Sequence, residues 1–401
     1  MSDHQIAPRI TAMKPSATLA MTSRAKALKA AGRPIIELSA GEPDFDTPAV
    51  VAEAAIQAIR EGFTHYTDNA GMLPLRQAIC SKLERENGLK YAPEDIVVSN
   101  GAKQSVAMAI AVLCRPGDEV LIPAPYWVSY PEMARFADAE PVIVPTTVEA
   151  GYLLTPEQLE AAITPATRVL ILCSPSNPTG GVYPPEAIRG LAEVLRRHPH
   201  VYVISDEIYE HIRFDIDHLS MASVEGMKDR TVTVNGFSKA YAMTGWRLGY
   251  LAADRPIVKA VATLQSQLTS APSSISQRAG IAALEMGLGP IDEMVVSFRQ
   301  RRDFVLDTLR GLPGINCPVP DGAFYVFPSV AGLFGRTSPS GRRIDSSDDF
   351  CFYLLEEFDL AIVQGSAFGD PYGIRISYAS SMSDLEEAMA RFVRAVNELA
   401  G

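Results

Sequence analysis

The chain has 401 residues, enough for two or three domains of ordinary size. Hydrophobic residues make up 47% and charged residues 21%, which supports a large core and excludes global disorder. A formal net charge of −11 argues against nucleic acid or an anionic membrane as partner, and no apolar run of about 18 residues is present to span a bilayer.

Met1 to Ile10 is polar and lacks the apolar stretch of a secretory signal. The five cysteines have no CxxC spacing and read as reduced thiols of a cytoplasmic protein, with no metal site expected. Met21 to Ala31 predicts a short helix ended by Gly32, and Ile35 to Leu38 a brief strand. The prolines and glycine of Ala40 to Pro48 predict a loop, with Thr47 as N-cap and Pro48 as first residue of a helix to about Glu61. His65 to Asp68 falls in a loop before a helix over Leu73 to Glu86.

Ile96 to Ser99 predicts a buried strand turning through Asn100-Gly101-Ala102-Lys103 into a helix over Ser105 to Cys114. Strand, glycine turn and helix start make either an anion site or a plain connection. Val120 to Ile122 is a strand, followed by Pro123 to Trp127, where Tyr126 and Trp127 form either a stacking platform for a flat ring or a core pair. Strands follow over Val142 to Val144 and Arg168 to Cys173, the latter running into Ser174-Pro175-Ser176-Asn177-Pro178-Thr179-Gly180. Pro184-Pro185 opens a helix to about Arg197, and the apolar strand Val201 to Ser205 ends in Asp206-Glu207. A nucleotide-binding reading of that acidic pair needs a GxxxxGK[ST] loop, and the chain has none.

After the apolar run Thr231 to Val234, Ser238 and Ala240 flank Lys239, and Arg247 follows eight positions on. Gly236, Gly245 and Gly249 let the backbone approach a neighbour closely. A desolvated lysine near other cations can form a Schiff base with an aldehyde, and an arginine fork suits phosphate. Pyridoxal phosphate carries both groups. Strands and helices alternate from about Val50 to Glu285, predicting a mainly parallel sheet covered on both faces, with ligands at the strands' carboxyl ends. Lys103, Trp127, Asn177, Asp206 and Lys239 all follow such ends. Beyond about Pro290 the pattern becomes α+β: a helix over Ile291 to Leu309, the run Gly322 to Phe327, a polar surface loop over 332–349, a helix over Phe350 to Glu357, the strand Ile374 to Tyr378 and a last helix.

These residues resemble the fold-type I, pyridoxal phosphate-dependent class I/II aminotransferases. The motifs that carry the resemblance are Ser-Pro-x-Asn-Pro-Thr-Gly at 174–180, Ser-Asp-Glu-x-Tyr at 205–209, the Lys239/Arg247 block and Arg375. Lys14 to Thr18, Gly41 to Pro48 and Ala124 to Met133 are similar to the bacterial subgroup Iβ of aspartate aminotransferases, some of which also use prephenate. The resemblance covers nearly the whole chain. It implies an arm with part of a small domain over 1–47, a large cofactor-binding domain over 48–290 and a small domain over 291–401.

It also implies roles. Lys239 would hold the cofactor and shuttle a proton, Asp206 would pair with its ring nitrogen, and Asn177 and Tyr209 would bond its 3-oxygen. Trp127 would stack on the ring. Arg247, Ser238 and the backbone at Ala102 and Lys103 would bind phosphate, with Tyr66 arriving from the second subunit of a homodimer. Arg375 would clamp the substrate α-carboxylate and Gly41 would touch substrate through its backbone. Lys103, Ser16 and Thr18 would meet a distal carboxylate, and Lys14 is linked with prephenate. Ala102 replaces a usual glycine and Val106-Ala107-Met108 a usual Leu-Phe-Asn, both near Lys103. Gly236 stands where more distant relatives have a phosphate-binding serine.

The function implied is amino transfer between L-aspartate or L-glutamate and 2-oxoglutarate or oxaloacetate in two half-reactions. Alternatives are prephenate as acceptor, a lyase on the same fold, and a cofactor-binding regulatory protein without turnover.

Overall fold

The computed structural model describes residues 6–13 and 17–400. Its centre is a seven-stranded sheet. The strands are β1 (Ile96–Ser99), β2 (Glu119–Ala124), β3 (Glu140–Pro145), β4 (Thr167–Cys173), β5 (Tyr202–Asp206), β6 (Thr231–Gly236) and β7 (Gly249–Ala252). They lie in the order β1-β7-β6-β5-β4-β2-β3. All pairings are parallel except those of β7, which runs antiparallel to both β1 and β6. The chain reaches β7 from β6 through the loop of Lys239 and Arg247, which holds no helix to carry it back over the sheet as a parallel neighbour usually requires.

Both faces of the sheet are covered, because successive side chains along each strand point to opposite sides. Val169 and Ile171 pack on one side, against the helices Ala102–Leu113 and Arg255–Leu268. Leu170 and Leu172 pack on the other, against Ile188, Leu191 and Leu195 of the helix Pro185–Arg197. The C-terminal part holds a three-stranded antiparallel sheet built from Tyr325–Val326, Ile374–Ser377 and Val363–Gln364, backed by the helices Gly289–Leu309, Ser347–Phe358 and Met382–Ala400. The N-terminal strand Ile36–Glu37 pairs with Leu360–Ala361, so the two ends of the chain are joined.

Several sequence expectations shift. The first long helix spans Ala17–Ala30, and the helix after Gly101 starts at Ala102 rather than Ser105. Thr47 does not cap the helix Ala49–Arg60; Pro48 stands at the cap without a side-chain bond. The Thr47 hydroxyl instead donates to the Ala242 carbonyl at 2.7 Å and accepts the Trp246 indole N–H at 2.9 Å, tying the N-terminal segment to the lysine loop. Residues 332–349 are more ordered than a plain loop: Arg336–Thr337 and Arg343–Ile344 pair as a small hairpin with Ser338 buried. No helix among the described residues is long and apolar enough to cross a membrane.

Candidate active site

The carboxyl ends of β2, β4, β5 and β6 open into a cleft of about 610 Å³. It is lined by Gly41, Ala102, Lys103, Trp127, Asn177, Asp206, Tyr209, Ser238, Lys239, Arg247 and Arg375, drawn from segments far apart in the sequence. Tyr66 is not in this cleft; its side chain is 95% exposed in the single chain. Lys14 and Ser16 lie outside the described residues, as does the side chain of Thr18.

Lys239 donates to the carbonyl of Gly41 and stands about equally far from the rings of Tyr209 and Phe324, at 5.7 and 5.8 Å. Burial, with Arg375 and Arg247 adding positive potential, brings its ammonium down to about 8. Lys103 is lowered for the same reasons, burial first and then Arg247, and its ammonium sits 4.9 Å over the Trp127 ring. Asp206 ends β5 at 4% exposure, and burial pushes its carboxyl up to about 6. It accepts the Tyr130 O–H at 2.7 Å and, more weakly, the Ile208 N–H at 3.3 Å.

Arg375 is 2% exposed and donates to Asn177 Oδ1 at 3.0 Å and to the Ser39 carbonyl at 2.5 Å, while its Nε has no partner among the described residues. Its guanidinium lies 4.7 Å over Tyr325, whose hydroxyl bonds the Tyr209 hydroxyl at 2.9 Å. Tyr325 therefore links the arginine to the phenol at the cleft wall.

Arg247 has a left-handed backbone, φ 53°, uncommon for a residue with a side chain. Its guanidinium reaches Thr244 and Asn100 carbonyls at 2.9 and 3.3 Å, beside the start of the helix Ala102–Leu113. That helix has Gly101 at its cap and no side-chain cap bond, so its first amides and positive dipole end are free to meet an anion. A Cβ at Gly249 would lie 2.4 Å from the Ala102 amide nitrogen, and one at Gly236 only 2.9 Å from the Gly249 Cα. These two glycines let strand ends and helix start close together, which explains why a side chain at 236 does not fit. Gly245 has nothing within 4 Å and does not serve that purpose.

Among the described residues, Lys103, Lys239, Arg247 and Arg375 form no ion pair. The donors fit a phosphorylated flat aldehyde with a basic ring nitrogen: an uncapped helix start with Arg247 for the phosphate, a neutralisable lysine for the aldehyde and a buried carboxylate for the nitrogen. The sequence assigned no site role to Tyr130, which also lines the cleft, or to Tyr325, because the roles of both show only through their contacts with other side chains. The signal for Tyr130 was its place three residues after Trp127; Tyr325 lay in the aromatic run Gly322 to Phe327. The other aromatic of the Trp127 loop, Tyr126, packs its ring against Gly369, while Trp127 lines the cleft.

Residues 33–392 match the family model described as aminotransferase class I and II. A Petunia hybrida protein named bifunctional aspartate aminotransferase and glutamate/aspartate-prephenate aminotransferase is 53% identical, covering 98% of this chain and 83% of that one. The crystal structure of an aspartate aminotransferase from Rhizobium meliloti superposes with a TM-score of 0.96 at 48% identity, covering 98% of this chain and 99% of that one. The Thermus thermophilus aspartate aminotransferase solved with maleate gives 0.92 at 40% identity, covering 97% and 99%.

Proposed function

The chain belongs to the class I and II aminotransferases, pyridoxal phosphate-dependent enzymes, and from that premise we propose that it transfers the amino group of L-aspartate and L-glutamate to 2-oxoglutarate and oxaloacetate. The observation that carries this reading is the surplus of unpaired cations in the cleft: Arg247 and the uncapped helix for one phosphate, then Arg375 and Lys103 for two further carboxylates. A dicarboxylic substrate meets both remaining charges. The Thermus thermophilus neighbour was solved with maleate, a dicarboxylate.

Pyridoxal phosphate, when bound, supplies the aldehyde that receives the amino group and a ring that draws electrons from the substrate α-carbon. Lys239 holds the cofactor and, freed from it, moves the proton at that carbon; a side chain brought to about 8 gives up its proton readily near neutral pH. Asp206 keeps a proton on the ring nitrogen. Tyr209 and Asn177 hold the ring's 3-oxygen, and Asn177 also orients Arg375 through its Oδ1. Trp127 covers the ring and excludes water from that side. Ser238, Arg247 and the amides of Ala102 and Lys103 hold the phosphate. Arg375 takes the α-carboxylate in a two-pronged bond, Lys103 the distal one, and Gly41 lends its carbonyl once Lys239 has left it. Lys14, Ser16 and Thr18 complete the distal end in this reading.

The division into 1–47, 48–290 and 291–401 belongs to the same reading: it makes Lys239 and Arg375 contributions of different units. So does a homodimer. The exposed phenol of Tyr66, with exposed apolar side chains Val50, Ile56, Ile59 and Leu73 on the helices before and after it in the sequence, supports its reaching a second subunit's phosphate site. An active monomer in equilibrium sedimentation would count against it. Free thiols at all five cysteines fit a reducing compartment such as the cytoplasm.

The decisive experiment is the half-reaction. Holoenzyme is mixed with one amino acid at a time and the cofactor absorbance followed. Aspartate and glutamate should convert it, with alanine and phenylalanine slow; no conversion by any amino acid would sink the aminotransferase reading and favour a binding protein. Prephenate is the second acceptor to add, on the name of the Petunia hybrida relative. Ammonia released without an oxo acid would instead indicate a lyase.

A further inference from the structure

We propose that Tyr130 is a positioning residue for the cofactor, holding the Asp206 carboxylate with its hydroxyl and the Trp127 indole with its ring edge. This rests on the reading of Asp206 and Trp127 given above. Tyr130 begins the helix Tyr130–Phe136 and is 2% exposed. A phenol has one hydrogen to donate, and here it goes to Asp206 Oδ2 at 2.7 Å. No lysine or arginine among the described residues pairs with Asp206, and its other oxygen has only the longer bond from the Ile208 amide. Tyr130 is thus the carboxylate's short donor. The same ring meets Trp127 edge to face, with centroids 5.3 Å apart and planes at 82°. One side chain therefore touches both the carboxylate that would pair with the ring nitrogen and the indole that would cover the ring.

The physical consequence concerns charge. A carboxylate this buried resists ionising, and a donated O–H is what favours the ionised form. Burial already brings Asp206 up to about 6, and the Tyr130 hydrogen bond is the largest influence acting against that rise. Without the hydroxyl, Asp206 would be protonated further towards the neutral range and would hold a proton on the ring nitrogen less firmly there. A tyrosine that served packing alone would leave this titration untouched when its oxygen was removed.

The test uses the holoenzyme with Tyr130→Phe, which deletes one oxygen and keeps the ring. We expect kcat to fall about tenfold, the size of one hydrogen bond to a charged group, with KM for the amino donor within about twofold of the parent. The acid limb of kcat and the pH at which bound cofactor changes absorbance should both move up by about one pH unit, and cofactor should be lost faster on dialysis. An unmoved acid limb with an unmoved absorbance titration would overturn the proposal. Asp206→Asn is run in parallel. If it leaves the cofactor titration intact, the assignment of Asp206 is wrong and this proposal falls with it; if it abolishes the titration while Tyr130→Phe does nothing, only the role of Tyr130 falls. Tyr130→Leu also removes the ring edge and should weaken the circular dichroism of bound cofactor beyond Tyr130→Phe; equal signals would remove Trp127 from the claim. Should Tyr130→Phe not fold, the native holoenzyme still answers. Its Tyr130 hydroxyl proton should appear far downfield in proton NMR and vanish in Asp206→Asn. Absence of that resonance overturns the proposal.

Discussion

Two charge clusters flank the segment Asp206 to Glu210, the rear one largely buried and the front one partly open, with Lys103 and Arg247 exposed. The front one is the cleft. The rear one gathers Lys82, Glu86, Glu207, Glu210, His211 and His218. In the rear each charged side chain has an opposite charge or a hydrogen bond, although the buried Nδ1 of His218 has no partner among the described residues. Lys82, 1% exposed, contacts Glu210 and donates to Asn87 Oδ1 at 2.8 Å; Asn235 and Asn87 add donors to Glu210 at 2.6 and 2.7 Å. Ser205, Ser220 and His218 surround Glu207 at 2.8, 2.7 and 3.1 Å, and His211 meets Glu86 at 2.8 Å. The front has five cations that form no ion pair among the described residues (Lys26, Lys103, Lys239, Arg247 and Arg375) against three carboxylates, Glu37, Glu42 and Asp206, and the short donor to Asp206 is a neutral phenol. Buried charge persists only when it is paired or hydrogen-bonded. A cluster whose charges are mostly paired therefore reads as a brace and an unbalanced one as a place for a ligand. The rear brace also has a position that serves the front: Asn235 lies in the strand that leads to Lys239, and Glu207 directly follows Asp206.

The contrast predicts which change breaks which property. Lys239→Ala should cut turnover by on the order of 10⁴, the upper range for losing a proton-transfer group, without lowering the stability of cofactor-free protein; retained turnover in a stopped-flow half-reaction would refute the mechanism. Glu210→Gln should do the opposite. It leaves Lys82 with Glu86 at 3.5 Å as its one ion-pair partner among the described residues and should cost about 3 kcal/mol, read from the urea midpoint of cofactor-free protein, while the folded fraction keeps near-normal kcat. An unshifted midpoint would show that the brace is inert. Arg375→Lys comes next: it keeps the charge and loses the fork, so kcat/KM for aspartate should drop about 100-fold with cofactor binding unaffected. If lysine serves as well, the two-pronged contact is wrong.

How far the sequence spoke depends on what each residue touches. Asn177, Asp206 and Lys239 were legible because each follows a strand end, and parallel strands bring such ends together whatever their separation. The helix start at Ala102 was legible as an anion site from its glycine turn, though its boundary lay three residues earlier than the pattern indicated. The antiparallel turn of β7 was not read, since a short apolar run after glycine carries no direction. Thr47 looked like a helix cap by local chemistry, and tertiary contacts to Ala242 and Trp246 won. The rear cluster was illegible for a plainer reason: Lys82 and Glu210 are 128 positions apart, and neither sits in a motif.

The smallest effect separates the clusters most sharply, because their pH dependences have opposite signs. In the front, Lys239 is held down from 10.5 to about 8. A lysine with a lowered folded value destabilises the fold while protonated and stops doing so as pH rises from about 8 towards 10.5. In the rear, His218 is raised above 6.5, chiefly by Glu207 and then Glu210 against its burial. A histidine with a raised folded value stabilises the fold at pH below its ordinary value and loses that contribution as pH climbs through the raised one. Cofactor-free Lys239→Ala should therefore melt above the parent at pH 7, by an amount equivalent to about 2 kcal/mol after allowing for partial exposure of the side chain, and the gap should close near pH 10. His218→Gln should melt below the parent at pH 6, with the gap narrowing as pH rises. Thermal scans of the three cofactor-free proteins across pH 6 to 10 read both. Parallel curves would mean that neither cluster carries the charge state assigned to it; crossing curves would mean that the cleft is held in an unfavourable state that only the rear brace and a bound anion make tolerable.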